Sequence, residues 1–279
     1  MEYENTKNLT PEQKWNAATI ANNFIFYKVM RNNEDVCKEL IEILLNMEID
    51  HITMHNEETI DIDWQSKGIR LDVYAKNATQ AFDLEIQTTD TKELPERARY
   101  YQSVIDVDTL KSGQRYSELK DCYIIFICLD DIFHEGEAVY VFENTCLGHS
   151  AIKLNDRAKK YFFIAANCDK MKDDRIKAFL RLLTTNKSSD SFTGRIVSLA
   201  EDAKHNTQWR LQYMEWERQR TYDREAGREE GRAEGRREGR VDDARNFLAK
   251  TNLSPEVIAE CCSLPLEKVL ELKEKVQHA

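Results

Sequence analysis

Asp72, Glu85 and Gln87 bring two carboxylates and an amide onto two short neighbouring segments, IRLDVYA (69 to 75) and QAFDLEIQ (80 to 87). Two carboxylates fixed side by side suit a hard divalent cation such as Mg²⁺, which takes oxygen ligands and keeps several of its waters. The main-chain carbonyl at Ile86 can add a third oxygen. An ion held there lowers the pKa of a bound water and neutralises charge on a phosphate, while the Gln87 amide can orient that water. In outline this is the hydrolysis of a phosphodiester. The same acids also read as the solvent face of an antiparallel hairpin, where apolar and acidic residues commonly alternate.

The elements that must position these groups follow from alternation. Ile69, Leu71, Val73 and Ala75 alternate with Arg70, Asp72 and Tyr74, and Phe82, Leu84 and Ile86 alternate with Asp83, Glu85 and Gln87. Two strands with a polar turn at 76 to 79 are expected, in a register that sets Asp72 on the face of Glu85. Leu94-Pro95-Glu96 opens a helix to about Leu110, stopped by Gly113; Arg97 and Tyr101 stand four apart on it and face the same way. Set beside the end of the second strand, a guanidinium and a phenol can hold a phosphate. Alternatively, Arg97 pairs with a nearby acid such as Glu93 while Tyr101 packs in the core.

The order of blocks widens the comparison. NNFIFYKVM (22 to 30), GIRLDVYA (68 to 75), DLEIQ (83 to 87), LPERARYYQSVIDVDTLKSGQRYSELKD (94 to 121) and YIIFIC (123 to 128) together resemble the Rpn-type family of recombination-promoting nucleases and putative transposases. That family carries the D…ExQ variant of the PD-(D/E)XK motif, and the resemblance covers about residues 16 to 185. It implies a restriction-endonuclease-like mixed sheet flanked by helices and a metal-dependent DNA endonuclease linked to recombination or transposition. It implies Mg²⁺ as cofactor, with Mn²⁺ or Ca²⁺ as substitutes, on Asp72, Glu85 and Ile86, with Gln87 completing the catalytic set. Arg97, Arg99 and Tyr101 stand at the positions of its R-x-R-x-Y stretch. Leu71 stands before Asp72 where the superfamily's name has Pro, a departure that many Rpn-type members share.

Elsewhere the chain supplies a framework. A helix from about 11 to 30 directs Trp15, Ile20, Phe24 and Tyr27 inward, and a second spans Glu34 to Met47. Glu39 and Glu42 lie off its apolar stripe, where they read as surface, though a helix before the sheet can lend an acid to such a site. Two short alternating stretches between Ile49 and Asp63 carry Asp61 and Asp63 as further surface acids. Cys122 to Leu129 is apolar on both faces and reads as a central strand. Short strands at 138 to 142 and 161 to 166 and a helix from Asp173 to Leu183 complete an α/β domain over residues 1 to 190.

A formal net charge of −10 opposes tight, non-specific binding to nucleic acid and leaves a localised contact as the expectation. Seven cysteines without a C-x-x-C pair, and no secretory leader, point to reduced thiols and a cytoplasmic setting. No stretch approaches the eighteen consecutive apolar residues of a membrane span.

Residues 191 to 240 read as a charged helical linker. From Arg218 to Arg240 eight arginines meet six acids, and Gly227, Gly231, Gly235 and Gly239 recur at every fourth position. Four helical glycines cost roughly 4 kcal/mol relative to alanine. The segment is expected to be a flexible connector or a helix formed against a partner chain, in preference to a basic DNA arm, whose charge the acids nearly cancel. Residues 241 to 279 hold two short helices, a docking or homo-oligomerising tail in preference to a helix-turn-helix, since LEKVLELKEKVQ lacks the arginine or asparagine that reads bases. A catalytically inactive nuclease fold serving as a binding or oligomerisation module is the competing expectation for the whole.

Overall fold

The computed structural model describes residues 9–54, 59–60, 69–70, 72–88 and 92–277. Leu71, Asp61 and Asp63 lie outside them. Thr10 opens α1 (Pro11–Ala17) with a capping box, its hydroxyl accepting from the Gln13 N–H while Gln13 accepts from the Thr10 N–H. The expected single helix to residue 30 is interrupted at Ala18, which is extended, and restarts as α2 (Asn23–Asn32) because the Asn22 side chain caps the Phe24 and Ile25 N–H groups. Trp15, Ile20, Phe24 and Tyr27 are all buried. α3 (Glu34–Leu45) stops at Asn46, whose φ of 48° is a left-handed cap.

Strands β1 (Thr53–Met54), β2 (Thr59–Ile60), β3 (Ile69–Arg70), β4 (Val73–Lys76) and β5 (Gln80–Gln87) follow. The expected strand 69 to 75 is thus two pieces, with Asp72 at a bend just ahead of β4. After β5 come α4 (Leu94–Thr109), β6 (Asp121–Cys128), β7 (Val139–Phe142), the hairpin β8 (Thr145–Cys146) and β9 (His149–Lys153), then β10 (Ala158–Ile164). β1, β4, β5, β6, β10 and β7 form, in that order, a six-stranded sheet. β5, β6 and β10 run parallel, and the remaining pairs are antiparallel.

Parallel strands joined through a helix are covered on both faces, and this shapes the site. On one face α4 lays Leu94, Ala98, Tyr101, Val104 and Ile105, spaced at three and four residues, against Tyr74, Ala81, Ile124, Phe126 and Phe162. On the other, Phe82, Leu84 and Ile86 are equally buried, and α2 is the helix touching β4 and β5. α5 (Asp174–Thr185) packs on α3, and α6 (Ser191–Lys204) on α2 and α5. The sheet is therefore mixed and flanked by helices.

Residues 1–213 make up one compact unit and 214–279 another. The first unit reaches past residue 190 because Phe192 and Ile196 of α6 are buried and Tyr213, early in α7 (Thr207–Lys250), packs its ring 5.2 Å from Trp15 and 5.4 Å from Phe24. The Gly-Arg-Glu repeat is helical throughout, within the continuous α7. In the second unit α8 (Pro255–Cys262) and α9 (Leu266–Gln277) gather Ile258, Ala259, Cys262, Val269 and Leu272 around Ala244 and Val241 of α7. Among the described residues no helix is long and apolar enough to cross a membrane. Cys37, Cys122, Cys128, Cys168 and Cys262 are buried and outside any disulfide; Cys146 and Cys261 are exposed.

Candidate active site

Val73 pairs with Leu84 and Tyr74 with Asp83 across β4 and β5, so one step further along the ladder Asp72 faces Glu85. The two acids interlock through main-chain groups. The Asp72 N–H donates to Glu85 Oε1 at 2.9 Å, and the Ile86 N–H donates to Asp72 Oδ2 at 3.4 Å. Glu85 is buried and Asp72 half-buried. Gln87, two residues on from Glu85, extends from the same face of β5.

The first turn of α4 supplies the cation. Arg97 Nη2 donates to Glu85 Oε2 at 3.2 Å and Nη1 to Gln87 Oε1 at 3.1 Å. Nη2 and Nε also donate to the Tyr101 hydroxyl, at 3.0 and 3.3 Å. The guanidinium lies over the rings of Tyr101 and Phe126, 5.3 and 5.6 Å from their centroids. A positive side chain in a helix's opening turn opposes the helix dipole, so Arg97 is held there by Glu85, Gln87 and the aromatic bed. Of the two sequence readings for this helix, its Arg97 pairs with an acid, but that acid is Glu85 and not Glu93. Tyr101 is buried on Phe126, rings 6.4 Å apart, and reaches the site through its hydroxyl.

The expected residues divide accordingly. Asp72, Glu85, Ile86, Gln87, Arg97 and Tyr101 meet at the ends of β4 and β5. Arg99, two residues from Arg97 on the helix, has an exposed side chain and is not brought among them. Glu39 and Glu42 are engaged elsewhere, the first with Arg175 at 2.6 Å and the second with Lys38 at 2.8 Å and the Ile49 N–H at 2.8 Å.

One residue of the cluster was not singled out by the sequence. Asp83, also on the Glu85 face of β5, is 0 % exposed, and neither carboxyl oxygen has a hydrogen-bond partner. Burial, then the Asp72 charge, pushes its carboxyl well above the ordinary range, against the pull of Arg97. Burial raises Glu85 likewise, followed by the charges of Asp72 and Asp83, while the Asp72 N–H and Arg97 act to lower it. Burial and the Glu85 charge push the Tyr101 hydroxyl up to about 12, so it remains a neutral phenol at physiological pH. The available signal for Asp83 was the strand–helix–strand order around β5, which covers its polar face as well as its apolar one.

A hard cation fits this donor set. Three acids share one arginine, their mutual repulsion is relieved by positive charge, and every candidate ligand atom is oxygen. Among the described residues no three His, Cys, Asp or Glu side chains converge tightly enough to hold a metal. Two carboxylates, with water and phosphate oxygens completing the shell, suit Mg²⁺ better than an ion that demands a full protein cage.

No curated protein and no solved structure matches the chain. A model of the PD-(D/E)XK nuclease family transposases matches residues 21–224, which takes in the whole six-stranded sheet, α4 and the site between them. With that match spanning well over half its length, the chain belongs to the PD-(D/E)XK nuclease family transposases.

Proposed function

We propose that this protein is a Mg²⁺-dependent endonuclease that hydrolyses phosphodiester bonds in DNA, in the service of recombination or transposition. The observation that carries the reading is the cross-strand interlock of Asp72 and Glu85, with Gln87 and Arg97 beside it. Asp72, Glu85 and the Ile86 carbonyl would hold the ion, with Mn²⁺ or Ca²⁺ able to take its place. When bound, the ion supplies Lewis acidity and a water of lowered pKa. Gln87 would be placed to hydrogen-bond and orient such a water. Arg97 offers its planar fork to the phosphate oxygens, and the neutral Tyr101 hydroxyl adds a donor. Arg99, exposed on α4, is left to contact the flanking backbone.

Nicking of supercoiled plasmid tests this reading. The intact protein should cut with Mg²⁺ and not with EDTA, and Asp72→Ala should lose the activity. Cutting that survives the substitution, or that needs no metal, contradicts the assignment.

One observation favours a second reading, a nuclease fold kept as a binding or oligomerisation module: Arg97 already neutralises Glu85 without a metal. That reading predicts no metal-dependent cleavage by any version of the chain. In either case the C-terminal region, with its long helix α7, is the element we assign to self-association. Truncation after Tyr213, which spares α6 and the Trp15–Phe24–Tyr213 cluster, should reduce the sedimenting mass to that of a monomer. An unchanged oligomer would place association elsewhere.

A further inference from the structure

Both carboxylate oxygens of Glu85 are occupied from within the protein. Oε1 takes the Asp72 N–H and Oε2 takes Arg97. The Glu85 side chain is 4 % exposed and that of Arg97 30 %, so the arginine is the partner that meets solvent. A divalent cation and a guanidinium gathered on one carboxylate oxygen repel one another, so each weakens the other's hold on Oε2. An ion that ligates Oε2 therefore favours the release of Arg97 from it.

The displaced group has somewhere to go. Arg97 rests on the faces of Tyr101 and Phe126, which can support it through rotation of its outer torsions. Released from Glu85 and Gln87, its donors are a fixed fork matched to two oxygens of a phosphodiester. Lysine, a point charge, cannot bridge Glu85 and Gln87 and then present the same fork.

We propose that Arg97 is a displaceable clamp, closing on Glu85 and Gln87 in the metal-free protein and moving onto a substrate phosphodiester when the cation takes Glu85, so that metal and DNA each favour the other's binding. The proposal rests on the assignment of Asp72 and Glu85 as metal ligands. It adds to that assignment a reason for the neutralised resting site: without DNA to receive Arg97, the cation competes with a built-in counter-ion, and loading is favoured where a phosphate is present. By linkage the strengthening is reciprocal.

The test uses the full-length chain, Mn²⁺ as the metal and a short fluorescent DNA duplex, with intact protein, Arg97→Gln and Asp72→Ala compared. Mn²⁺ binding without DNA is read by electron paramagnetic resonance, and DNA affinity by anisotropy in Mn²⁺ and in EDTA at equal ionic strength. Arg97→Gln should bind Mn²⁺ about tenfold more tightly without DNA, within the usual range of coupling between sites. It should also lose most of the Mn²⁺-induced gain in DNA affinity that the intact protein shows. A purely electrostatic role for Arg97 would tighten Mn²⁺ binding but leave that gain intact, and this outcome overturns the clamp. So does unchanged Mn²⁺ affinity in Arg97→Gln while Asp72→Ala loses the ion, a result that leaves the metal site itself standing. Failure of the intact protein and Arg97→Gln to bind Mn²⁺ even with DNA overturns the metal site, and the clamp with it. Should Arg97→Gln not fold, Arg97→Lys carries the test: both changes appear in smaller measure, and wild-type behaviour overturns the proposal.

Discussion

The two ends of α4 are tied to the sheet by the same kind of contact with opposite electrostatic outcomes. Near its C-terminus Asp108 accepts from Lys76 Nζ at 2.9 Å and from the Tyr74 hydroxyl at 3.1 Å. Despite partial burial, that acid sits below the ordinary carboxylate range because Lys76 and Tyr74 more than compensate. At the N-terminal end one arginine faces Asp72, Asp83 and Glu85, and burial and mutual repulsion push Asp83 and Glu85 up. One end is a balanced structural tie. The other gathers three acids around one arginine, and two of them are driven toward their protonated forms.

Substitutions at each end should separate these roles. The largest effect is expected at the unbalanced end: Glu85→Gln should lower plasmid cleavage by more than about a hundredfold, the upper end for a residue that only supports a metal ligand. Asp108→Ala, at the balanced end, should cut DNA normally in Mg²⁺. Equal loss of cleavage in both variants would erase the distinction.

Cation binding comes next in size. An ion that binds the folded chain alone stabilises it by about 2.7 kcal/mol at a hundredfold excess over Kd. Adding Mg²⁺ should raise the melting temperature of the intact protein and of Asp108→Ala but leave Asp72→Ala unmoved, as read by thermal denaturation. In urea, Asp108→Ala should lose about 1–3 kcal/mol of stability, because Tyr74 and Lys76 lose their acceptor.

The pH dependence should carry opposite signs at the two ends. A carboxyl whose folded pKa is raised holds its proton more tightly in the folded chain, so the stability from Asp83 and Glu85 is full below about pH 4 and is lost as pH climbs through their raised values. Asp108, with its folded pKa lowered, contributes above about pH 4 and loses that contribution as pH falls. Metal-free protein should therefore melt at lower temperature as the pH rises above the carboxylate range. Asp83→Asn should make that fall shallower, and Asp108→Asn should leave it intact while flattening the acid side. A fall unchanged in Asp83→Asn would mean that this acid does not set it.

How much of this was legible in the sequence depended on the range of the interaction. Alternation along β5 and the short turn to β4 located Asp72, Glu85 and Gln87 on one face, since period and register are local properties. The i, i+4 spacing likewise paired Arg97 with Tyr101. Helical periodicity ran through residues 11 to 30 and missed the break at Ala18, because Asn22 caps α2 by a side-chain bond that leaves no mark on the apolar pattern. Asp83 and the partner of Arg97 were missed for a different reason. Both depend on α4 lying across β5, a tertiary fact, and an aspartate on an alternating strand reads as solvated until a helix covers it. The Gly-Arg-Glu repeat reads as a helical linker with a flexible connector left as an alternative, since glycine propensity argues against helix at each position, and it is helical.

A crystal soaked in Mn²⁺, with anomalous diffraction collected at the manganese edge, tests the central claim most directly. The account predicts a peak between the carboxylates of Asp72 and Glu85, with Arg97 turned away from Glu85 Oε2. Absence of a peak there, with Arg97 still closed on Glu85 and Gln87 at saturating Mn²⁺ and DNA, would contradict it.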